Sequence, residues 1–353
     1  MARISFGLAT SHGPLLSTPP DEWELRVQAD RNNPAHPFRG GTYTFDELVE
    51  LRKDENLRQQ SSFEERQKRH AACQKAIETL AHELKEAAPD VLVLVGNDQR
   101  EIFKESLTPA FSILHGESID NVPLSENELA QLKPGLAIAH WANVPEEPVT
   151  YPCVPELGEH LVESLVEEGF DIATMKTLPE GPKGRPDLPH AYGFLYRRIM
   201  NDVPIPAVPI VLNTFFPPNQ PKTARCIALG KAMGRAIESW DKDVRVGILM
   251  SGGLSHFVID EDFDDDVLSA MKSNNEARLA AIPRHFFRSG TSETKNWMTG
   301  IGALAGADLK MKLIDYVPCY RSEAGTGNAM AFATWKRTRA SSGPRTSCKR
   351  SVL

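Results

Sequence analysis

The chain has 353 residues, 41% hydrophobic and 25% charged, enough apolar material to bury one large core. Its net charge of −7 argues against nucleic-acid binding, because no basic stripe offsets the acidic surface. Five scattered cysteines (Cys73, Cys153, Cys226, Cys319 and Cys348) form no CxxC pair, which excludes a zinc ribbon and suits reduced thiols in the cytoplasm. No run approaches the ~20 apolar residues of a membrane span, and the apolar run at the N-terminus is too short for a signal peptide.

Residues 4–9 read as a first strand and lead into Thr10-Ser11-His12-Gly13-Pro14. A histidine thus stands just past a strand end, in a loop stiffened by Gly and Pro. Residues 19–41 read as irregular surface structure. Thr44-Phe45-Asp46-Glu47 has capping-box spacing and predicts a helix through Arg52. Ser62-Phe63-Glu64-Glu65 repeats that signal before a long helix with Cys73, Ile77, Leu80 and Leu84 along its apolar face. These two helices read either as packing elements or as a lid over a pocket.

Residues 91–95 form the clearest buried strand, ended by Gly96-Asn97-Asp98-Gln99. A Pro-rich surface loop is expected at 145–155, strands at 171–175, 207–212 and 244–249, and a helix at 223–240. Ser289-Gly290-Thr291 opens a helix containing Glu293 and Trp297, and residues 312–317 and 329–334 read as closing strands. Strands alternating with helices predict an α/β fold: a single large domain with a central mixed sheet flanked by helices, a helical insertion at 42–88, and a basic flexible tail at 336–353.

The richest segment is Met250-Ser251-Gly252-Gly253-Leu254-Ser255-His256-Phe257. Its two glycines let the backbone turn tightly, which puts Ser255 and His256 at a strand's carboxyl end, where open α/β sheets bind ligands. A histidine there can move protons near neutral pH. His12, Asp98-Gln99, His256 and Glu293 come from four separate segments. Two histidines and a carboxylate are the raw material of a facial triad on non-haem Fe(II). Spacing alone does not select them, since ten histidines and 47 acids allow many combinations.

These segments also come in a recognisable order. It runs through Thr10-Ser11-His12-Gly13-Pro14, residues 93–98, and Asn213-Thr214-Phe215-Phe216-Pro217-Pro218 before Arg225-Cys226-Ile227-Ala228-Leu229-Gly230. Gly252-Gly253-Leu254-Ser255-His256 follows, then Ser289-Gly290 before Glu293 and Trp297, and Asn328-Ala329-Met330-Ala331. Together they resemble the class III extradiol ring-cleavage dioxygenases, the superfamily of the protocatechuate 4,5-dioxygenase beta subunit. Ser17-Thr18-Pro19-Pro20, Phe38-Arg39-Gly40 and Thr42-Tyr43-Thr44-Phe45-Asp46-Glu47-Leu48 look most like the 3-O-methylgallate dioxygenase branch.

The resemblance implies a catalytic domain over 1–335 that binds Fe(II) and cleaves a gallate- or protocatechuate-like diol with O2. His12 and Glu293 match iron ligands, His256 the acid–base histidine, and His190, in Leu188-Pro189-His190-Ala191, a second pocket histidine. Where the second ligand histidine is expected, this chain has Gln99, a neutral and poorer donor to Fe(II). Gln99 is kept as third ligand, with Asp98 and Glu101 as alternatives. Asn213, Thr214, Phe215 and Phe216 are pocket candidates, and Arg39 or Arg185 would meet a substrate carboxylate. Relatives imply a homodimer. The loss of a histidine leaves open a non-catalytic relative that binds a phenolic ligand, and a metal-dependent hydrolase is a third reading.

Overall fold

The strand at residues 91–97 shows why the sheet is buried. Val91, Val93 and Val95 face one apolar core and Leu92 and Leu94 the other, so both faces must be covered. The computed structural model describes residues 1–337. Its main sheet contains β1 (Arg3–Thr10), β2 (Val91–Asn97), β3 (Phe111–Leu114), β4 (Ala173–Met175), β5 (Ala207–Leu212), β6 (Arg245–Ser251), β7 (His256–Val258), β8 (Lys310–Tyr320) and β9 (Thr326–Lys336). The order is β7-β9-β1-β6-β2-β5-β3-β4, with β8 on the other edge of β9. Neighbours among β1, β6, β2 and β5 are parallel, whereas β9 runs antiparallel to β1, β7 and β8.

Helices α1 (Phe63–Ala87), α2 (Pro155–Glu167), α3 (His190–Phe194), α4 (Thr223–Ser239), α5 (Glu261–Lys272) and α6 (Thr294–Leu304) surround this sheet. None is long and apolar enough to cross a membrane. Ser62 caps α1 by accepting from the Glu65 amide, and Cys73, Ile77, Leu80 and Leu84 are all buried. Helix α1 packs on β8, β9 and β1. The capping box at Thr44 and Glu47 forms with both its bonds and opens the helix Phe45–Leu51.

Residues 19–41 are more ordered than their composition predicts. They form the 3-10 turn Pro20–Arg26, the helix Val27–Asn32 and a hairpin of His36–Phe38 with Gly41–Tyr43. Burial of Trp23 and Asp30 supplies the order, and neither lies in a periodic apolar pattern. The Pro-rich stretch likewise contains a strand, Val149–Pro152, anchored by Tyr151 stacking on Tyr196 at 3.8 Å. Strand β9 takes in Lys336, the first residue of the expected tail. Residues 338–353 of that tail lie outside the described residues.

Helices α4 and α6 touch backbone to backbone. A Cβ on Gly230 would stand 1.9 Å from the Thr299 carbonyl oxygen, and one on Gly302 would stand 2.4 Å from that of Ile227. Gly230→Ala should therefore push the helices apart and lower stability by about 1–3 kcal/mol, measured as a shift in the urea midpoint.

Candidate metal centre

Parallel strands β1, β2, β5 and β6 all end at one edge of the sheet, with Thr10 opposite Ser251 and Asn97 opposite Leu212. The loops leaving that edge bring His12, Gln99 and His256 together, and the starts of α3 and α6 add His190 and Glu293. His12, His256 and Glu293 are buried.

His12 is oriented by a relay. The Ser251 hydroxyl donates to the Ala191 carbonyl at 2.6 Å, so toward His12 Nδ1, 2.9 Å away, its oxygen accepts. The proton of the neutral ring is thereby fixed on Nδ1, which leaves a lone pair on Nε2. That Nε2 is sealed from solvent and makes no hydrogen bond, although Glu293 Oε2 lies 3.2 Å away. His256 is arranged similarly. Its Nδ1 donates to the Leu254 carbonyl at 2.8 Å, and its Nε2 lies 3.6 Å from the same Glu293 oxygen.

Glu293 ends the 3-10 turn Gly290–Glu293. Its Oε2 accepts from the Gly253 amide at 3.2 Å, and its Oε1 accepts from Asn97 Nδ2 at 3.4 Å and Gln99 Nε2 at 3.3 Å. Burial disfavours its charge, but His12, His256 and His190 outweigh burial and hold its carboxyl well below the usual range. Gly290 must be glycine, since a Cβ there would lie 1.9 Å from His256 Cδ2. Asn296 donates to Asn97 and to the Ser251 carbonyl, both at 2.7 Å, and so ties α6 to two strand ends.

His190 sits edge-on to His12, with ring centroids 4.7 Å apart. Its Nδ1 and backbone amide both bond Glu101 Oε1. Burial lowers the pKa of His190, but Glu101 outweighs it and lifts the imidazole to about 9. Burial likewise opposes the charge on Glu101, yet His190 brings it down to about 2. Among the described residues, His12, His190 and Glu293 form the one group of His, Cys, Asp or Glu whose donor atoms lie within 4.8 Å of one another. Two bare or convertible imidazole nitrogens facing a buried carboxylate fit a metal cation, which would fill the gap that no proton bridges.

The alternatives to Gln99 have other work. Asp98 accepts from the amides of Arg100, Glu101, Ile102 and Phe103, and so builds the turn after β2. Because β2 stops at Asn97, strand alternation does not govern where residues 99–101 point. Asn213 folds back onto the Phe216 backbone and Thr214 meets Ser292. Phe215 and Phe216 pack edge to face. Arg39 is paired with Asp260 and Asp262, and Arg185 with Glu128 and Asp187. Ser251, Asn97 and Asn296 escaped the sequence reading as orienting groups. Ser251 and Asn97 stand inside the motifs that carried it, at the last residue of their strands, which was the available signal.

Residues 60–327 match the family described as the catalytic LigB subunit of aromatic ring-opening dioxygenase. The chain belongs to the LigB family. The match begins after His12, so the first-strand histidine joins the site through the fold rather than through the matched segment. Among curated relatives, a gallate dioxygenase of Pseudomonas putida is 31% identical over 105 residues, covering 29% of this chain and 28% of its own. A 2,3-dihydroxyphenylpropionate/2,3-dihydroxicinnamic acid 1,2-dioxygenase of Comamonas testosteroni is 29% identical over 185 residues, covering 52% and 49%. The matched stretches thus span about half or less of those relatives. His190 and Glu293 lie within the LigB match and His12 before it, and the three meet at the edge of the sheet where α/β folds bind ligands.

Proposed function

We propose that this LigB-family chain is an Fe(II)-dependent extradiol dioxygenase that opens the ring of a gallate- or protocatechuate-like acid with O2. The observation that carries the reading is the bare, sealed Nε2 of His12 facing Glu293 beside two further imidazoles. Bound there, ferrous iron would supply charge that favours the ionised diol and a template for both reactants.

His12, His190 and Glu293 are assigned to hold the ion. His190 keeps its Nδ1 proton on Glu101, the carboxylate–histidine arrangement that orients metal-binding imidazoles, and offers its other nitrogen. Gln99 then positions Glu293 through Oε1 rather than replacing a histidine. On this assignment His190→Ala lowers iron affinity by more than the ~10–100-fold that loss of a supporting partner produces, and Gln99→Ala stays within that range, read by competition with a chromogenic chelator. The reverse order would return Gln99 to the ligand set.

His256 is assigned the proton transfers. Burial lowers its pKa, so the ring is neutral near pH 7, and with Nδ1 committed to Leu254 it presents Nε2 as an acceptor. It would take a substrate hydroxyl proton there and return one when the ring opens. Thr291, which accepts from the His256 amide at 3.2 Å, keeps the ring's backbone in place.

Oxygen uptake by iron-loaded protein with gallate or protocatechuate, together with a ring-opened product, tests the assignment. Gln99 motivates the rival reading, a relative that binds phenols without turning them over. Stoichiometric iron with no oxygen uptake on any catecholic acid would favour that rival. The reading extends to a reducing cytoplasmic setting, consistent with the free thiols of Cys73, Cys153, Cys226 and Cys319, and to a homodimer.

A further inference from the structure

A cavity of about 80 Å³ lies where the starts of α4 and α6 come up against the 3-10 turn Arg284–Phe287. Lys222, Arg284 and Lys295 line it together with Gln220, Thr223 and Phe287, and no acidic residue does. Among the described residues, none of these three cations is paired with a carboxylate.

Lys295 carries most of the argument. It is 3% exposed and stands two residues past Glu293. Its Nζ donates to the Thr214 carbonyl at 3.0 Å and lies 5.1 Å from the centre of the Phe287 ring, so one of its three N–H donors has an oxygen acceptor and its charge has no counter-ion. Burial works against that charge, and the like charge of Arg284 adds to the cost. Arg284 in turn bonds only the Gln220 carbonyl, at 3.4 Å. A buried ammonium without an anion is unfavourable.

The start of α4 contributes positive charge to the same place. Lys222 occupies its N-cap without making a side-chain bond, and the first turn holds no acidic residue. Lysine is out of place there, because a helix N-terminus is partly positive and calls for an oxygen acceptor. The amides of Arg225 and Cys226 bond the Lys222 carbonyl, which leaves those of Thr223 and Ala224 with no partner inside the helix. The buried ammonium, the lysine cap and the like-charged arginine are each unfavourable alone. One anion among them relieves all three.

We propose that this cavity binds a small oxyanion of the phosphate type, at a site separate from the metal centre. Size points to that class, since sites for drug-sized ligands run to ~300–1,000 Å³. The site does not depend on the ring-cleavage reading.

Calorimetric titration of the full chain with sodium phosphate tests it, using metal-free protein so that phosphate cannot bind iron instead. Phosphate should saturate at one equivalent per chain and raise the melting temperature, and sodium chloride at equal ionic strength should do neither. Lys295→Met should weaken phosphate roughly 10–100-fold, the worth of a charge-assisted hydrogen bond. Arg284→Gln, at an exposed position, should fold as wild type does and weaken phosphate less. A phosphate monoester titrated alongside names the source: tighter binding than inorganic phosphate assigns the site to an esterified ligand, weaker binding to the free ion, and either result supports it. No saturable binding, an affinity unchanged in both variants, or an equal effect of chloride would each overturn the proposal. A protein that consumes no oxygen but binds phosphate through Lys295 would refute ring cleavage and leave this site standing.

Discussion

Glu293→Gln is expected to lose stoichiometric iron and, with it, all measurable oxygen uptake. The substitution keeps the side chain's shape and removes the one negative charge on which His12 Nε2 and His256 Nε2 converge. Loss of a direct ligand should exceed the ~10–100-fold that loss of a supporting partner produces, so iron measured by elemental analysis after gel filtration should fall far below one equivalent. Metal-free stability should behave differently. A glutamine amide can donate to the lone pair on His12 Nε2, which offsets the bond lost from the Gly253 amide. Without metal the variant should unfold within about 1 kcal/mol of wild type, while added iron raises the midpoint of wild type only. Full iron occupancy in the variant would remove Glu293 from the proposed centre.

His256→Gln should separate chemistry from metal binding. His256 Nε2 is farther from Glu293 than His12 Nε2 is, 3.6 Å against 3.2 Å, and its assigned task is moving protons. Iron content should stay near one equivalent while kcat falls roughly 10²–10⁴-fold, the usual worth of a positioned acid–base group. The proposed ferrous site can be followed without turnover by its nitric oxide spectrum, which should form normally. A variant that loses iron as fully as Glu293→Gln would make His256 a ligand instead.

The central strands were legible because burial on both faces writes itself as an apolar run, as in Val91-Leu92-Val93-Leu94-Val95. Short strands such as β3 and β7 carry three or four residues each, too few for a period to emerge, whereas the equally short β4 falls inside the strand expected at 171–175. The segment 19–41 was misread for another reason. Its order comes from Trp23 and from the Asp30–Arg321 pair, whose two members are 291 residues apart. Among site residues, His12, His256 and Glu293 could be picked out because each follows a strand end or opens a helix in a recognisable order. The proximity of His190 to His12 could not, since it depends on Glu101 holding one ring edge and on Ser251 linking His12 to the carbonyl of Ala191.

Strand β1 is inserted between β6 and β9, both drawn from the last third of the chain. His12 therefore takes its partners from far along the chain, Ser251 lying 239 residues on and Glu293 farther still, so these contacts carry the cost of long-range pairing. The closed sheet, rather than any local segment, brings His12 and Glu293 together, so on the proposed reading the metal enters a site that folding has already built. On that reading, protein stripped of metal should keep its fold and stay ready to be loaded.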